Sequence, residues 1–115
     1  MSQALQVWQL VCGTADLADG EARSVRIGEQ RIAVFRLGED FHALADRCPH
    51  GEASLAEGWI ENGEVECPLH QARFCIASGR VQCGPAREDV QRFDVKLEDD
   101  EVMVRVAEAA IPETQ

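Results

Sequence analysis

The sequence predicts an antiparallel all-β fold, a sandwich or barrel into which a loop-rich subdomain is inserted. Three observations carry this. Short runs rich in β-branched and aromatic residues recur along the chain, the clearest being Arg31 to Leu37. The connections between them are a few residues long and carry Gly, Asn or acidic residues, which suits hairpins and is too short for crossover helices. Between Asp46 and Pro85 the composition shifts to Gly, Pro, Glu, Cys and His, with only brief strand-forming runs.

Taken in order, Trp8 to Cys12, Ser24 to Ile27, Arg31 to Leu37 and Phe41 to Ala45 read as strands, separated by Gly28-Glu29-Gln30 and Gly38-Glu39-Asp40. Thr14 to Gly20 is polar and fits either one helical turn or a loop. Trp59 to Glu61, Glu64 to Cys67 and Arg73 to Ile76 are shorter strands, and Asn62-Gly63 is a strong hairpin signal between the first two. Gln91 to Leu97 and Val102 to Val106 alternate cleanly about the acidic turn Glu98 to Glu101, and Ala107 to Gln115 reads as a tail. A chain of 115 residues fits one domain. Its base would be formed by about 6–45 and 86–107, with the subdomain at about 46–85.

No apolar run approaches the roughly 18 residues a membrane helix requires, and Met1 to Gln6 lacks the basic and apolar segments of a secretory signal. A cytoplasmic, monomeric protein is expected. Eleven Lys and Arg stand against twenty-one Asp and Glu, a formal charge of −10. That excludes nucleic acid as a natural partner, since its phosphates need cations, and favours a positively charged protein. The five cysteines are odd in number, and two stand beside histidines, unlike a secreted disulfide framework.

Those two carry the chemistry. Cys48-Pro-His50 and Cys67-Pro-Leu-His70 are separated by sixteen residues, and loops at one end of a β-domain would bring all four donors together. Zinc accepts thiolate and imidazole alike, so a tetrahedral zinc site in a redox-silent interaction module is one reading. Zinc-finger pairs usually place like with like, however, whereas here each pair mixes one Cys with one His. Mixed pairs suit a two-iron cluster in which one iron takes both cysteines and the other both histidines. Pro49 and Pro68 stiffen the loops at the ligands, and Gly51 allows a tight turn.

Cys48-Pro-His50-Gly51, the sixteen-residue interval and Cys67-Pro-Leu-His70 resemble the Rieske [2Fe-2S] motif. The flanking Trp59 to Gly63 and Phe74-Cys75-Ile76-Ala77-Ser78-Gly79 are similar to the small Rieske ferredoxins of bacterial multicomponent aromatic-ring dioxygenases. The resemblance implies a Rieske-like β-fold, Cys48 and Cys67 on one iron, His50 and His70 on the other, and Gly84-Pro85-Ala86 as a third loop over the cluster. It also implies a one-electron carrier with no catalytic residues of its own. Its donor would be an NADH-dependent flavoprotein reductase and its acceptor a terminal Rieske oxygenase; a permanent Rieske subunit of an oxidoreductase is the alternative role.

Respiratory and photosynthetic Rieske proteins carry an extra cysteine in each loop, where this chain has Ala53 and Leu69, so that disulfide is not expected. Their serine and tyrosine hydroxyls at the cluster sulfurs are replaced by Ala72 and Phe74, and the chain has no tyrosine. Loss of two donors to the sulfurs disfavours the more negative, reduced state and predicts a low potential. Ala72 also stands where the small ferredoxins commonly have glycine.

Outside the motif, His42 is expected to be an ordinary packing or surface residue and Trp8 and Trp59 hydrophobic anchors. Cys12, Cys75 and Cys83 are expected to be small buried side chains. Glu52, Glu57, Glu61, Glu64 and Glu66, with Arg47, Arg73 and Arg80, form either a solvated surface or a mixed rim that orients partners.

Overall fold

The computed structural model describes residues 6–48, 53–68, 72–83 and 88–107. Among them are eleven strands and two short 3-10 turns. The strands are β1 (Gln6–Gly13), β2 (Ala22–Ile27), β3 (Gln30–Leu37), β4 (Asp40–Ala45), β5 (Trp59–Glu61) and β6 (Glu64–Glu66). They continue with β7 (Arg73–Cys75), β8 (Val81–Cys83), β9 (Arg92–Phe93), β10 (Val95–Glu98) and β11 (Glu101–Ala107). They form three antiparallel sheets, ordered β1-β11-β10, β2-β3-β4-β9 and β5-β6-β7-β8.

β3, at the heart of the middle sheet, is buried on both faces. Side chains alternate across a strand, and on β3 Ile32 and Val34 join the core shared with Val102, Val104 and Val106 of β11. Ala33 and Phe35 point the opposite way, into a core with Val65 of β6 and Phe74 of β7. This explains why Ile32 to Phe35 is an unbroken apolar run while the last hairpin alternates apolar with polar residues: a strand covered on both sides has no polar face.

Two-residue turns join several of the strands. At the β5–β6 turn both Asn62 (φ 54°) and Gly63 (φ 78°) lie in the left-handed region, the backbone of a type I′ hairpin. Gly58 is required for a different reason. A Cβ there would stand 2.3 Å from the Glu66 carbonyl oxygen, so only glycine lets the chain entering β5 pass so close to β6.

Thr14–Asp16 forms a single 3-10 turn, one of the two alternatives expected. Gln91 to Leu97, expected as one strand, is divided at Asp94. β9 pairs with β4 in the middle sheet and β10 with β11 in the outer one. The Asp94 carbonyl accepts the Arg105 N–H at 2.9 Å, and the Asp94 carboxylate takes both Arg92 and Arg105, which anchors the crossing. Alternation continues through the break, so the pattern of side chains does not reveal the change of partner. β8 and the Leu55–Glu57 turn were not evident from sequence. β8 holds through pairing with β7 and through the Asp89 carboxylate, which accepts the Val81 N–H at 2.8 Å. Ala107, expected as the start of the tail, instead ends β11 opposite Gln6, while the rest of that tail and the Gly84-Pro85-Ala86 loop lie outside the described residues.

Candidate metal centre

β4 emerges from the middle sheet and delivers Asp46, Arg47 and Cys48; β6 delivers Cys67. Both cysteines are fully buried and belong to the same apolar cluster, with Ala53, Leu55, Ala72 and Phe74 around them. The two stems share one device. The Cys48 N–H donates to the Ala53 carbonyl at 3.1 Å and the Cys67 N–H to the Ala72 carbonyl at 2.7 Å, so each cysteine closes a loop over four intervening residues. His50 falls within the first span and His70 within the second. Both histidines, with Pro49, Gly51, Glu52, Leu69 and Gln71, lie outside the described residues. Among the described residues no three His, Cys, Asp or Glu side chains form a metal-binding group.

Two fully buried cysteines, carried by separate loops into one apolar cluster, fit the thiolate half of a two-iron group. Ala53 is buried and offers no sulfur for a bridge between the loops. Ala72 and Phe74 are buried against the same cluster and bring no hydroxyl to it.

Sequence reasoning passed over the residue that organises the first stem. Asp46 is the one buried charged side chain among the described residues, and every bond it makes holds the chain near Cys48. Its carboxylate accepts the Ser54 hydroxyl, the Ala56 N–H at 2.9 Å, the Ser24 hydroxyl at 3.0 Å and an Arg31 guanidinium N–H at 2.9 Å. Its backbone adds the Arg31 carbonyl at 3.0 Å and the Leu55 N–H at 2.7 Å. A carboxylate out of water needs this degree of satisfaction. The signal in the sequence was phase: Asp46 is two residues beyond Leu44, in step with the face of β4 that turns toward the cysteine-bearing core.

The remaining candidates divide. Cys12 is buried, and burial pushes its thiol pKa up, as for an inert core residue. Cys75 is only partly buried, and the Ser78 hydroxyl draws its pKa down. Cys83 lies on β8, opposite Arg73. His42 is half-buried on β4, its pKa lowered chiefly by that burial. Trp8 packs on the outer face of the β1-β11-β10 sheet, with Lys96 4.7 Å and Arg105 5.6 Å from its ring centroid. Trp59 is no anchor: it stands 70% exposed on β5. It stands on the outward face of an edge strand, away from the core below Ile60. Glu61, Glu64 and Glu66 gather around Arg73 on the same sheet.

A three-layer antiparallel β-fold with two cysteine-bearing loops closed alike defines a class of metal-cluster domains, and the comparisons agree. The Rieske [2Fe-2S] domain family model matches residues 7–94. The 3-phenylpropionate/cinnamic acid dioxygenase ferredoxin subunit of Photorhabdus laumondii subsp. laumondii is 41% identical over 99 residues, 85% of this chain and 93% of the relative. In the complex of reduced oxygenase and oxidized ferredoxin of carbazole 1,9a-dioxygenase, a chain matches with TM-score 0.80 and 36% identity, over 84% of this chain and 99% of that one. The ferredoxin of carbazole 1,9a-dioxygenase from Nocardioides aromaticivorans IC177 matches with TM-score 0.78 and 28% identity, over 83% and 95%. The chain belongs to the Rieske [2Fe-2S] domain family. Within it the chain is of the ferredoxin type, an electron-transfer component with a Rieske-type [2Fe-2S] cluster rather than a catalyst.

Proposed function

We propose that the chain is the ferredoxin of an aromatic-ring-hydroxylating dioxygenase system, passing single electrons from an NADH-dependent flavoprotein reductase to a terminal Rieske oxygenase. Cys48 and Cys67 would hold one iron and His50 and His70 the other. When bound, the cluster accepts and returns one electron. The residues of this chain bury the two sulfurs and withhold hydroxyl donors at Ala72 and Phe74, which sets a low potential. The chain acts as one cytoplasmic, monomeric domain, with its cluster-binding part at about 46–85 carried on a base of about 6–45 and 86–107.

The observation that carries this reading is the coincidence of two matched, buried cysteine stems with 41% identity to a dioxygenase ferredoxin subunit across 93% of that relative. No helix among the described residues is long and apolar enough to cross a membrane.

The test is anaerobic purification followed by iron and sulfide analysis, absorption and electron paramagnetic resonance. About two irons and two sulfides per chain, a red-brown colour and a low average g value on reduction are expected. NADH with a catalytic amount of flavoprotein reductase should bleach the chromophore. A colourless chain holding a single zinc ion would overturn the reading.

A further inference from the structure

The outer face of the β5-β6-β7-β8 sheet sets one open aromatic ring among carboxylates. Ile60, Val65 and Phe74 turn inward to the cysteine-bearing core, so Trp59, Glu61, Glu64, Glu66 and Arg73 turn outward. The register puts Trp59 across from Glu66 and Glu66 across from Arg73, with Glu61 across from Glu64 in the neighbouring row. Glu66 immediately precedes Cys67, so this face lies over the strand that supplies one of the buried cysteines.

Trp59 differs in kind from the other exposed apolar residues. It is 70% exposed, against 48% for Leu10 and 47% for Leu97, and a tryptophan presents far more surface than a leucine. It also differs from Trp8, whose ring is already faced by Lys96 and Arg105. Among the described residues no cation lies over the Trp59 ring. Arg73 is engaged beside it, 3.1 Å from Glu66, 3.7 Å from Glu64 and 3.8 Å from Glu61. Three carboxylates against one guanidinium leave a net charge of −2 around an unoccupied π face, on a chain of −10. Such a surface repels phosphates and anionic lipid, and attracts cationic side chains both through the ring and through the carboxylates.

We propose that this face docks a basic protein surface belonging to an electron-transfer partner, with a partner Arg or Lys laid on the Trp59 indole and neighbouring cations meeting Glu61 and Glu64. The inference rests on the carrier reading above and adds the place and the chemistry of contact. An exposed tryptophan flanked by charged side chains has the composition of an interface hot spot. The partner's approach along this face would bring it beside β6, the strand that leads directly into Cys67.

The experiment mixes the reduced holoprotein in a stopped-flow instrument with ferric cytochrome c, a lysine-rich probe, and separately with ferricyanide, a small anion. One electron passes from the protein to the ferric haem in each productive encounter. At low ionic strength, Trp59→Ala and the double variant Glu61→Gln/Glu64→Gln should react with cytochrome c about threefold or more slowly than the parent. The carboxylate effect should fade as salt rises. Arg73→Gln, which makes the face more negative, should react faster, an effect that general destabilisation would not produce. Trp59→Ala should leave the ferricyanide rate unchanged. Equal cytochrome c rates for parent and all variants at low salt would overturn the docking face. A reduced protein that gives electrons to neither oxidant would instead overturn the carrier reading beneath it.

Discussion

Both carboxylate oxygens of Asp46 accept the hydroxyl of Ser54, at 2.9 and 2.8 Å, across the span that holds Cys48 and His50. The pair ties the chain before Cys48 to the chain after Ala53, and the Ala56 N–H and Arg31 guanidinium complete the clamp. Asp46→Ala strands these donors in a buried site and is expected to cost about 3 kcal/mol or more. Ser54→Ala removes one donor and should cost about 1 kcal/mol. Asp46→Asn keeps an acceptor for the Ala56 N–H but turns an amide against Arg31, and should fall between. Denaturant unfolding of the holoproteins, with iron content followed through the transition, measures all three. An Asp46→Ala protein as stable as the parent would show that the clamp is idle.

Ligand and spectator residues separate by colour. Cys48→Ser, Cys67→Ser, His50→Ala and His70→Ala should each lose the Rieske chromophore and at least half of the bound iron. Cys12→Ala, Cys75→Ser and His42→Gln should retain both. Iron analysis and electron paramagnetic resonance on the reduced proteins decide the matter, and full retention by any one of the first four would remove that residue from the ligand set.

The potential should lie near the lower end of the Rieske range, about −150 mV rather than about +300 mV. Phe74 is buried against the same cluster of side chains as Cys48 and Cys67, so Phe74→Tyr brings a hydroxyl into that surrounding. The midpoint should rise, and Ala72→Ser should raise it further, because each added donor favours the more negative reduced state. Spectroscopic redox titration reads both shifts. A parent midpoint well above zero would sink the prediction.

His42 should make stability depend on pH. Its folded pKa is lowered from 6.5, first by burial, so below pH 6.5 the unfolded chain binds more protons than the folded one. The contribution is therefore fully present above pH 6.5 and is lost as pH falls from there through the lower folded value. His42→Gln should flatten the stability profile just below pH 6.5 and leave it unchanged at pH 8. Urea midpoints at several pH values test this, and parallel curves for parent and variant would contradict it.

Most strands were legible because an alternating or unbroken apolar run and a two-residue turn are local signals. Gly38-Glu39 and Asn62-Gly63 each fall where the register requires a turn. Pairing partners were not legible: Arg92-Phe93 and Val95 to Glu98 share one alternating run yet serve different sheets. At the metal centre, ligand spacing singled out Cys48 and Cys67, and both stand buried in one cluster. Asp46 was missed because an aspartate beside a loop resembles a solvated one until its partners, as distant as Ser24 and Arg31, are folded around it. Trp59 was misjudged because a tryptophan's hydrophobicity says nothing about which side of an edge strand it occupies.

The matched N–H closures at Cys48 and Cys67, one stem clamped further by Asp46, bear on speed as well as stability. A site that must rearrange with each change of oxidation state pays for that movement in every transfer. Here both sulfur-bearing residues are held by backbone bonds and by a core shared with the middle sheet, so their positions are set before any electron arrives. With the cluster held on these two cysteines as proposed, the framework itself would keep the reorganisation term of electron transfer small.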